Sequence, residues 1–366
     1  MNGAGNNSIW LGFDAVDTWM FRDGRPFDQG DAGASVARSV FPPFPPTLVG
    51  AVRAMLWRQT LGGKWDTSKL GDGTNWQQVK QDRQDEKVLG PLLFGPPLVL
   101  HNGQPVFPVP LHLVEGKVKG RDEKRLTFLR PRKNSFKSDL GDKVQLLAPV
   151  EDLEGIKTIS DRWVTQEGME RILNGKVPDK DQLIPTGKLW NTESRVGISI
   201  DPGTRVVRES QLYMASHVRL CENVRLAVEM QGWNAEVPNG LTPVAGEHRM
   251  AEVQALEKEI VLPEPVTPEK DGQIVLIAIS PVAPDDKGNI PGLPGDKLMS
   301  ACTGRPVPIG GWDSRAHAAI PLRRCWPAGS VWFLEGFEGE PPSAIGMATE
   351  WGFGRVLVGR WPHDGQ

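Results

Sequence analysis

The glycine-rich stretch near residue 350 combines residue types that could bind phosphate and stack on bases. It reads GMATEWGFGRVLVGRW, in which the pattern G-x5-G-F-G is formed by Gly346, Gly352 and Gly354. Glycines at this density let a backbone turn tightly and expose N–H groups to an anion. Trp351 and Phe353 could stack on bases, and Arg355 could bind phosphate. A tight turn between two strands, with the aromatic residues in the core, is the alternative interpretation.

The segment at residues 39–59, SVFPPFPPTLVGAVRAMLWRQ, predicts a helix preceded by a stiff, extended approach. Each proline fixes its own φ and favours an extended conformation in the residue before it. We expect Thr47 to cap the helix. An apolar stripe follows at i, i+4, i+7 and i+8, formed by Leu48, Val52, Met55 and Leu56. With Arg53 on its second turn, the helix could direct free N–H groups and a guanidinium at one anion. A capped helix that packs on a sheet is the alternative.

The histidines and carboxylates form no recognisable catalytic or metal-binding motif. The six histidines are His101, His112, His217, His248, His317 and His363. They give no HExxH, HxH or Cys/His ligand spacing, and the chain has no GxSxG, GxxxxGK[ST] or GxGxxG. Asp14 and Asp17 could hold Mg²⁺ at a strand end, although a solvated turn fits the pair better. We therefore expect no catalytic residue, no metal and no cofactor.

The charges are distributed unevenly along the chain. The formal net charge is −3, yet the stretch KVKGRDEKRLTFLRPRKNSFKS, residues 117–138, carries nine Lys/Arg against two acidic residues. A local basic strip on an acidic body is typical of a surface that meets phosphate or an acidic partner. Phe128 and Phe136 alternate with the basic residues and could stack on bases. A solvated insertion loop is the alternative interpretation.

Length and composition indicate a globular chain of one or two domains in a reducing compartment. No run of about 18 apolar residues is present, so we expect no membrane span. The N-terminal residues lack a basic region followed by an apolar core, so we expect no secretory signal. Three widely spaced cysteines, Cys221, Cys302 and Cys325, argue against a disulfide framework. These features together predict a cytoplasmic protein without a membrane partner.

The elements that must position these residues are short strands, hairpins and few helices. A first strand is expected over IWLGFDAVDTWMF, and Asn102-Gly103 predicts a tight turn between two apolar runs. A second hairpin is expected around the turn DPGT, between RVGISI and RVVRESQLY. Five further strands are expected in NVRLAVEMQGW, GEHRMAEVQAL, QIVLIAIS, GSVWFLEGF and GRVLVGRW. This pattern favours an α+β fold built from ferredoxin-type modules.

The predicted organisation has two modules. The N-terminal module covers residues 1–262, with a basic insertion at about 115–185 and the second hairpin at about 195–213. The C-terminal module covers residues 270–366 and contains the glycine-rich loop. Between them, VLPEPVTPEKDGQ has the proline and charge content of a linker.

Four motifs together with the glycine-rich loop resemble a known family in the same order along the chain. They are FRDGRPFDQGD, FPPFPPTLVGAVRAML, GKLWNTESRVGISID and SQLYMASHVRL. The chain resembles the RAMP superfamily of CRISPR proteins, and within it the Cmr-type subunit that caps the 5′ end of the guide RNA in type III-B effector complexes. The resemblance implies two ferredoxin-like (RRM-like) modules with a protruding thumb hairpin.

The resemblance also implies a function and its partners. Such a subunit is a non-catalytic RNA binder that holds the repeat-derived 5′ tag of the crRNA. It contacts the large polymerase-like subunit and the backbone filament, and it lies indirectly near target RNA through the thumb. The residues expected to bind RNA are Arg22, Arg25, Arg38, Ser39, Thr47, Arg53, Lys188, Asn191, Arg195, Arg205, Arg208, His217, Gly346, Trp351, Gly352, Phe353, Gly354 and Arg355.

Two other functions fit parts of the sequence. A RAMP endoribonuclease that processes precursor crRNA would use a histidine near a tyrosine, and His217 close to Tyr213 is the candidate pair. A scaffold that contacts protein alone would need neither the basic strip nor the two predicted anion sites. Incubation of the protein with repeat RNA separates cleavage, binding without cleavage, and neither.

Overall fold

A computed structural model of the protein describes residues 8–24, 35–73, 75–78, 88–132, 145–201, 203–237, 239–268, 271–313 and 316–361. Within these residues the chain is rich in strands and contains few helices. The α-helices are α1 (Pro45–Gln59), α2 (Thr67–Leu70) and α3 (Gln166–Leu173). Single 3₁₀ turns occur at Trp76–Gln78, Lys180–Gln182 and Thr186–Lys188.

The strands, in chain order, are β1 (Ile9–Ala15), β2 (Ser35–Ala37), β3 (Leu93–Phe94), β4 (Leu98–His101), β5 (Gln104–Pro108), β6 (Leu113–Val118), β7 (Lys124–Pro131), β8 (Leu147–Pro149), β9 (Leu153–Thr158), β10 (Arg162–Thr165), β11 (Leu183–Pro185), β12 (Trp190–Ile200), β13 (Val207–Leu220), β14 (Val224–Gln231), β15 (Gly240–Ala245), β16 (Arg249–Ala255), β17 (Ile274–Ala278), β18 (Leu298–Cys302), β19 (Val307–Asp313), β20 (Ala318–Cys325), β21 (Val331–Leu334) and β22 (Val356–Gly359). The strands expected from the five apolar runs correspond to β14, β16, β17, β21 and β22.

A nine-stranded sheet forms the centre of the molecule. Its order is β11-β10-β5-β4-β14-β1-β16-β15, and β3 pairs with β14 beside this path. Strand β1 is buried on both faces, because Leu11 and Phe13 point to one core and Trp10 points to another. An apolar strand without polar alternation is what a sheet covered on both sides requires.

Helix α1 covers one face of this sheet. The predicted stripe is confirmed, since Leu48, Val52, Met55 and Leu56 are all at most 1% exposed. They pack with Leu11 and other residues of the sheet in one cluster. Burial of four such side chains stabilises the contact by several kcal/mol in total, at about 1.5–3 kcal/mol each.

The other face of the main sheet packs against a second sheet. This second sheet has the order β18-β21-β17-β22 and comes from the C-terminal part of the chain. Trp10 and Leu98 of the main sheet share a cluster with Val275 and Phe333 of the second. The faces that the two sheets turn toward each other therefore share one core.

The two predicted hairpins are confirmed. Strands β4 and β5 pair with His101 opposite Gln104, and both turn residues have positive φ, 51° at Asn102 and 78° at Gly103. That backbone matches the primed two-residue turn expected for Asn-Gly. Strands β12 and β13 form the second and longer hairpin, which extends beyond the predicted 195–213 to residues 190–220.

The basic stretch is more regular than its weak apolar periodicity suggested. Strands β6 to β9 form a sheet of order β8-β7-β6-β9, and β10 and β11 extend the main sheet. Phe128 is 3% exposed and stacks on His112 at 5.0 Å between ring centroids, so it cannot stack on a base in this conformation. Lys117 and Lys124 form ion pairs with Asp122 and Glu115.

The strand-rich α+β class is thus confirmed, whereas the ferredoxin-like assignment of each module and the module boundaries stay predictions. Phe136 lies outside the described residues. None of the helices in the described ranges is long and apolar enough to cross a membrane.

Candidate nucleic-acid interface

The start of α1 is not the anion site that the sequence suggested. The helix begins at Pro45, its N-cap is Phe44, and Thr47 lies inside the first turn instead of capping it. Pro45 and Pro46 have no N–H to offer, and the Thr47 N–H already donates to the Phe44 carbonyl at 3.0 Å. The prolines that stiffen the approach therefore remove the donors that an anion would need.

Arg53 is likewise turned inward, which corrects the expectation of an exposed guanidinium. The residue is 4% exposed, and its guanidinium donates to the Leu70 carbonyl at 2.7 and 3.0 Å and to the Gly73 carbonyl at 2.6 Å. It also lies over the Trp351 ring at 5.6 Å. Burial lowers the pKa of Arg53 to about 10. In this conformation the guanidinium binds backbone carbonyl groups of the same chain and so stabilises the fold.

The glycine-rich loop is a set of close backbone contacts. Its glycines all adopt left-handed φ: Gly346 (91°), Gly352 (87°) and Gly354 (67°). A Cβ at the first would lie 2.7 Å from the Ala283 carbonyl oxygen, and at the other two it would collide with the carbonyl oxygens of Gly95 and Ile345. The glycines are required because other parts of the same chain, rather than a ligand, occupy the space beside them.

The aromatic residues of this loop are core residues, so the predicted stacking on bases is not available in this structure. Trp351 is 2% exposed and Phe353 is fully buried. The Phe353 ring stacks on Trp76 with 4.5 Å between centroids and 27° between planes. Arg355 is half-buried, and its backbone N–H donates to Ser280 Oγ at 2.9 Å. The alternative interpretation of this stretch, a turn with core aromatics, describes it correctly.

The β12–β13 hairpin carries exposed apolar side chains toward its turn. Val196 is 63% exposed, Ile198 48% and Val206 63%. Strand β2 lies beside β13 at Tyr213–Ala215, and closer to the turn no third strand of the described chain accompanies the hairpin. Exposed apolar residues on a two-stranded arm are costly unless the arm meets a partner.

The base of the hairpin is held by a network of arginines and carboxylates. Asp17 accepts hydrogen bonds from Arg195 and Arg219, both at 3.0 Å, and from Arg249 at 3.3 Å. Glu193 accepts from Arg195 at 2.9 Å and from Arg219 at 2.8 Å. The network joins β12, β13 and β16 to the segment that follows β1.

These contacts shift the pKa values of the carboxylates. The hydrogen bond from Arg195 is the main cause that lowers the pKa of Asp17, with Arg219 acting in the same direction. Hydrogen bonds from Arg219 and then Arg195 lower the pKa of Glu193. Both groups are therefore held as carboxylates. Asp14 is paired elsewhere, with Arg225. The two aspartates are thus engaged by separate arginines. Asp14 lies within β1, which the solvated-turn interpretation did not expect, whereas Asp17 is exposed in the bend that follows β1, as that interpretation expected.

His217 lies beneath this network and is fully buried. Its Nδ1 is 3.1 Å from Thr18 Oγ1, and its Nε2 is 3.1 Å from a carboxylate oxygen of Glu247. Burial lowers the pKa of His217, Arg249 lowers it further, and Glu247 opposes them. An RNA strand on the surface of this conformation has no access to the ring, which corrects the expectation of direct contact.

Five of the predicted residues are exposed, namely Arg22, Arg38, Lys188, Asn191 and Arg205. The first two lie on adjacent segments, since Arg22 is bridged to Ser39 and the Asp23 N–H donates to the Arg38 carbonyl at 3.0 Å. Ser39 in turn donates to the Ser216 carbonyl at 2.6 Å, which links these segments to β13. Arg25 and the Arg208 side chain lie outside the described residues.

The structure thus divides the predicted residues into two groups. One group lies around the β12–β13 hairpin and includes basic side chains at its base and near its turn. The other group, formed by the start of α1 and the glycine-rich loop, is built into the core. The network was missed from the sequence, which offered Asp17 only as a metal ligand or part of a solvated turn. Glu193 and Arg195 have the i, i+2 spacing of one face of β12, and Arg219 lies diagonally across from Glu193 on β13, opposite Asn191. No group of three or more histidine, cysteine or acidic side chains is placed to hold a metal in the described part of the chain.

Comparison with solved structures identifies the fold. A chain of the Type III-B Cmr-beta complex bound to cognate target RNA and AMPPnP has a TM-score of 0.53 and 16% sequence identity, covering 88% of this chain and 86% of that chain. A chain of the same kind of complex bound to cognate target RNA has a TM-score of 0.51 and 17% identity, with the same coverage. At these identities the likeness shows a shared fold. No curated protein matches the sequence.

A family model identifies the chain more directly. The model described as CRISPR-associated protein (Cas_Cmr3) matches residues 11–361. The resemblance inferred from the four ordered motifs is confirmed by this match. Because the match spans almost the whole chain, the protein belongs to the CRISPR-associated protein (Cas_Cmr3) family.

Proposed function

We propose that the protein is a non-catalytic RNA-binding subunit of a type III-B CRISPR effector complex, where it holds the repeat-derived 5′ tag of the crRNA. Membership of the Cas_Cmr3 family and the fold shared with chains of Cmr-beta complexes support this proposal. In such a complex the subunit contacts the large polymerase-like subunit and the backbone filament. Its two modules are ferredoxin-like, and the β12–β13 hairpin is the thumb.

The observation that carries the proposal is the β12–β13 hairpin with its exposed apolar side chains. Val196 and Ile198 are on one face of β12, two residues apart, and both are exposed. An apolar edge of this kind can enter between successive nucleotides and force a base out of the stack, at a cost of a few kcal/mol per unstacked step. Target RNA would lie near this hairpin, and its relation to the subunit would be indirect.

Exposed basic residues around the hairpin supply the electrostatic part of binding. Arg38 and Lys188 are exposed near its base, and Arg205 is exposed in the turn. Phosphate contacts from such residues position an RNA strand without reading its sequence. Each phosphate neutralised on a single strand should contribute about 0.7 to the slope of log affinity against log salt.

The buried state of His217 favours RNA binding over RNA cleavage. A general base must reach the 2′-hydroxyl from which it takes the proton, and this ring is enclosed between Thr18 and Glu247. The proposal therefore gives His217 a structural role beneath the hairpin. The exposed basic residues beside an apolar arm argue against a scaffold that binds protein alone.

The proposal is tested with labelled CRISPR repeat RNA and the purified full chain. The wild type should bind the RNA and leave it uncut with or without Mg²⁺. The double variant Val196→Ser, Ile198→Ser should bind more weakly, because the apolar edge of the hairpin is lost. Leu241→Ser is the matched control, since Leu241 is 60% exposed on β15, an edge strand of the main sheet, and is not part of the β12–β13 hairpin.

Two results would overturn the proposal. Specific cleavage of the repeat RNA by the wild type, lost in His217→Ala, would make the protein an endoribonuclease. Absence of any binding by a well-folded wild type would favour the protein-only scaffold.

A further inference from the structure

The β19–β20 hairpin of the C-terminal part of the chain presents a large aromatic side chain to solvent. Trp312 on β19 is 61% exposed. Its partner across the pair is Ala319, whose methyl group is too small to cover an indole ring. Ile309, three residues before Trp312 on β19, is buried, so the alternation of side chains along the strand leaves Trp312 on the outer face. The ring is therefore uncovered in a fold that buries most of its aromatic residues.

Basic side chains accompany this tryptophan. Arg305, just before β19, and Arg324 on β20 are both exposed, and neither has an ion pair within the described ranges. Arg323 is paired with Asp286 at 2.7 Å and contributes little to the free charge. Residues 303–326 contain four arginines and one aspartate in the sequence, so the hairpin is basic on a chain whose net charge is −3.

The hairpin lies next to the segments that lead to the proposed RNA site. Gly24 packs against it, because a Cβ there would lie 2.6 Å from Leu322 Cδ2 and 3.2 Å from the Pro308 carbonyl oxygen. Gly24 follows Arg22, which is bridged to Ser39, and Ser39 is bonded to β13. A series of contacts thus connects β13 of the β12–β13 hairpin to β19–β20.

We infer that the outer face of the β19–β20 hairpin is a second contact for single-stranded RNA, in which Trp312 stacks on a base and Arg305 and Arg324 bind phosphates. An uncovered aromatic ring beside unpaired basic side chains is the combination that binds single strands with little sequence preference. A duplex cannot use it, because its base faces are already stacked. The inference rests on the proposed RNA-binding function and extends it to a surface outside the thumb.

The test measures affinity for a fluorescein-labelled uracil oligonucleotide of about 20 nucleotides and for an RNA duplex of the same length. Trp312→Ala in the full chain should weaken oligonucleotide binding by roughly 5- to 150-fold, which is the range for loss of one stacked base. Trp312→Phe should restore most of the affinity, because a ring is retained. Leu241→Ala, at an exposed apolar residue on β15, is the control and should bind like the wild type.

The arginines are tested separately through salt dependence. Arg305→Ala combined with Arg324→Ala should reduce the slope of log affinity against log salt by about 1.4, since each phosphate on a single strand contributes about 0.7. Binding of the duplex should change little in Trp312→Ala. Ultraviolet crosslinking of the oligonucleotide to the wild type should yield a crosslinked peptide that contains Trp312.

The outcomes separate this inference from the proposed function. Unchanged oligonucleotide affinity in a folded Trp312→Ala protein, with repeat RNA still bound, overturns the second contact alone. If that variant binds RNA normally but no longer copurifies with the other effector subunits, the surface is a protein interface and the inference is wrong. Failure of the folded wild type to bind repeat RNA or the oligonucleotide overturns both.

Discussion

At the scale of single residues, Gly352 has a backbone that other residues adopt only under strain. Its φ is 87°, and the carbonyl oxygen of Gly95 occupies the place of a Cβ. We expect Gly352→Ala to lower the free energy of unfolding by more than the about 1–3 kcal/mol that a strained φ costs, because the Cβ would also collide with backbone. The thermal unfolding midpoint measures this loss.

Gly50→Ala is the control for that substitution. Gly50 lies in α1 and is exposed, and a methyl group at this position would meet no side chain or other element within 4 Å. Alanine is the better helix former, so this variant should gain about 0.5–1 kcal/mol. RNA affinity of the Gly352→Ala protein that stays folded should equal that of the wild type. Weak RNA binding by a folded Gly352→Ala protein would contradict this expectation and support the interpretation of the loop as a phosphate site.

His112 makes stability depend on pH. Its ring is enclosed by Phe128 and Phe333, and burial lowers its pKa from 6.5 to about 3. The fold favours the neutral ring, so its contribution is complete above pH 6.5 and is lost as the pH falls toward 3. When the pH falls from 7 to 5, the free energy of unfolding should decrease by about 2 kcal/mol, because His112 takes up a proton in the unfolded chain but not in the folded one.

His112→Phe should flatten that dependence, because the titrating group is gone while an aromatic ring remains. Denaturant unfolding at pH 7 and pH 5 measures the difference. Phe128→Leu changes the packing beside the ring without removing it, so this variant should be less stable at both pH values and keep the dependence. If the free energy of unfolding of His112→Phe depends on pH as strongly as that of the wild type, other titratable groups cause the dependence and the prediction is wrong.

The residue types of the site were predictable, but their exposure was not. Pro45 and Pro46 already showed in the sequence that the start of α1 lacks donors. By contrast, Arg53 and Trp351 have the composition of an RNA site and are buried by contacts with residues distant in sequence. Spacing along a chain reports which side chains share a face, and it cannot report what covers that face.

At the scale of elements, the β12–β13 hairpin depends on Asp17 for the arrangement of its base. Asp17→Asn removes the charge that three arginines share, so we expect faster amide hydrogen exchange in β12 and β13. The global unfolding midpoint should change little, because exposed ion pairs contribute modestly. Added salt should reduce the difference between the variant and the wild type.

Asp286→Asn is the matched control for the hairpin. It removes a single ion pair, between Asp286 and Arg323 on β20, that is not part of the network at the base of the hairpin. Exchange in the hairpin should be the same as in the wild type. Equal exchange in Asp17→Asn and Asp286→Asn would mean that backbone pairing alone holds the hairpin.

Strands and turns were the most predictable elements, because alternation and Asn-Gly chemistry are local signals. The turn at Asn102-Gly103 and strands β14, β16, β17, β21 and β22 follow from such signals. The stretch from β6 to β9 was less predictable. Phe128 packs on His112, which in turn contacts Phe333, about 200 residues later in the chain, and no local pattern reports such a partner.

At the scale of the whole molecule, the shared core predicts one cooperative unfolding transition. Trp10 and Leu98 of the main sheet are covered by Val275 and Phe333 of the second sheet. Residues 1–262 expressed alone should therefore expose apolar surface, bind a hydrophobic dye and aggregate. Coexpression with residues 263–366 should restore a folded protein, and separate unfolding transitions in the full chain would contradict this view.

The linker expected at residues 261–273 stays a prediction, and composition could not show that the parts of the chain on either side of it share a core. That relation depends on contacts between β1, β4, β17 and β21, which are far apart in sequence. Their packing is a property of the folded molecule.

The burial of Trp351 and Phe353 beside α1 has a consequence for the timing of synthesis. The core against which they pack also contains Leu11 and Phe13, about 340 residues earlier in the chain. At 5–20 residues per second, a ribosome needs roughly 15–70 s to connect the two ends of this cluster. During that interval the nascent chain carries an unfinished apolar surface, so its yield in a cell should depend on chaperones that hold it until the glycine-rich loop has been made.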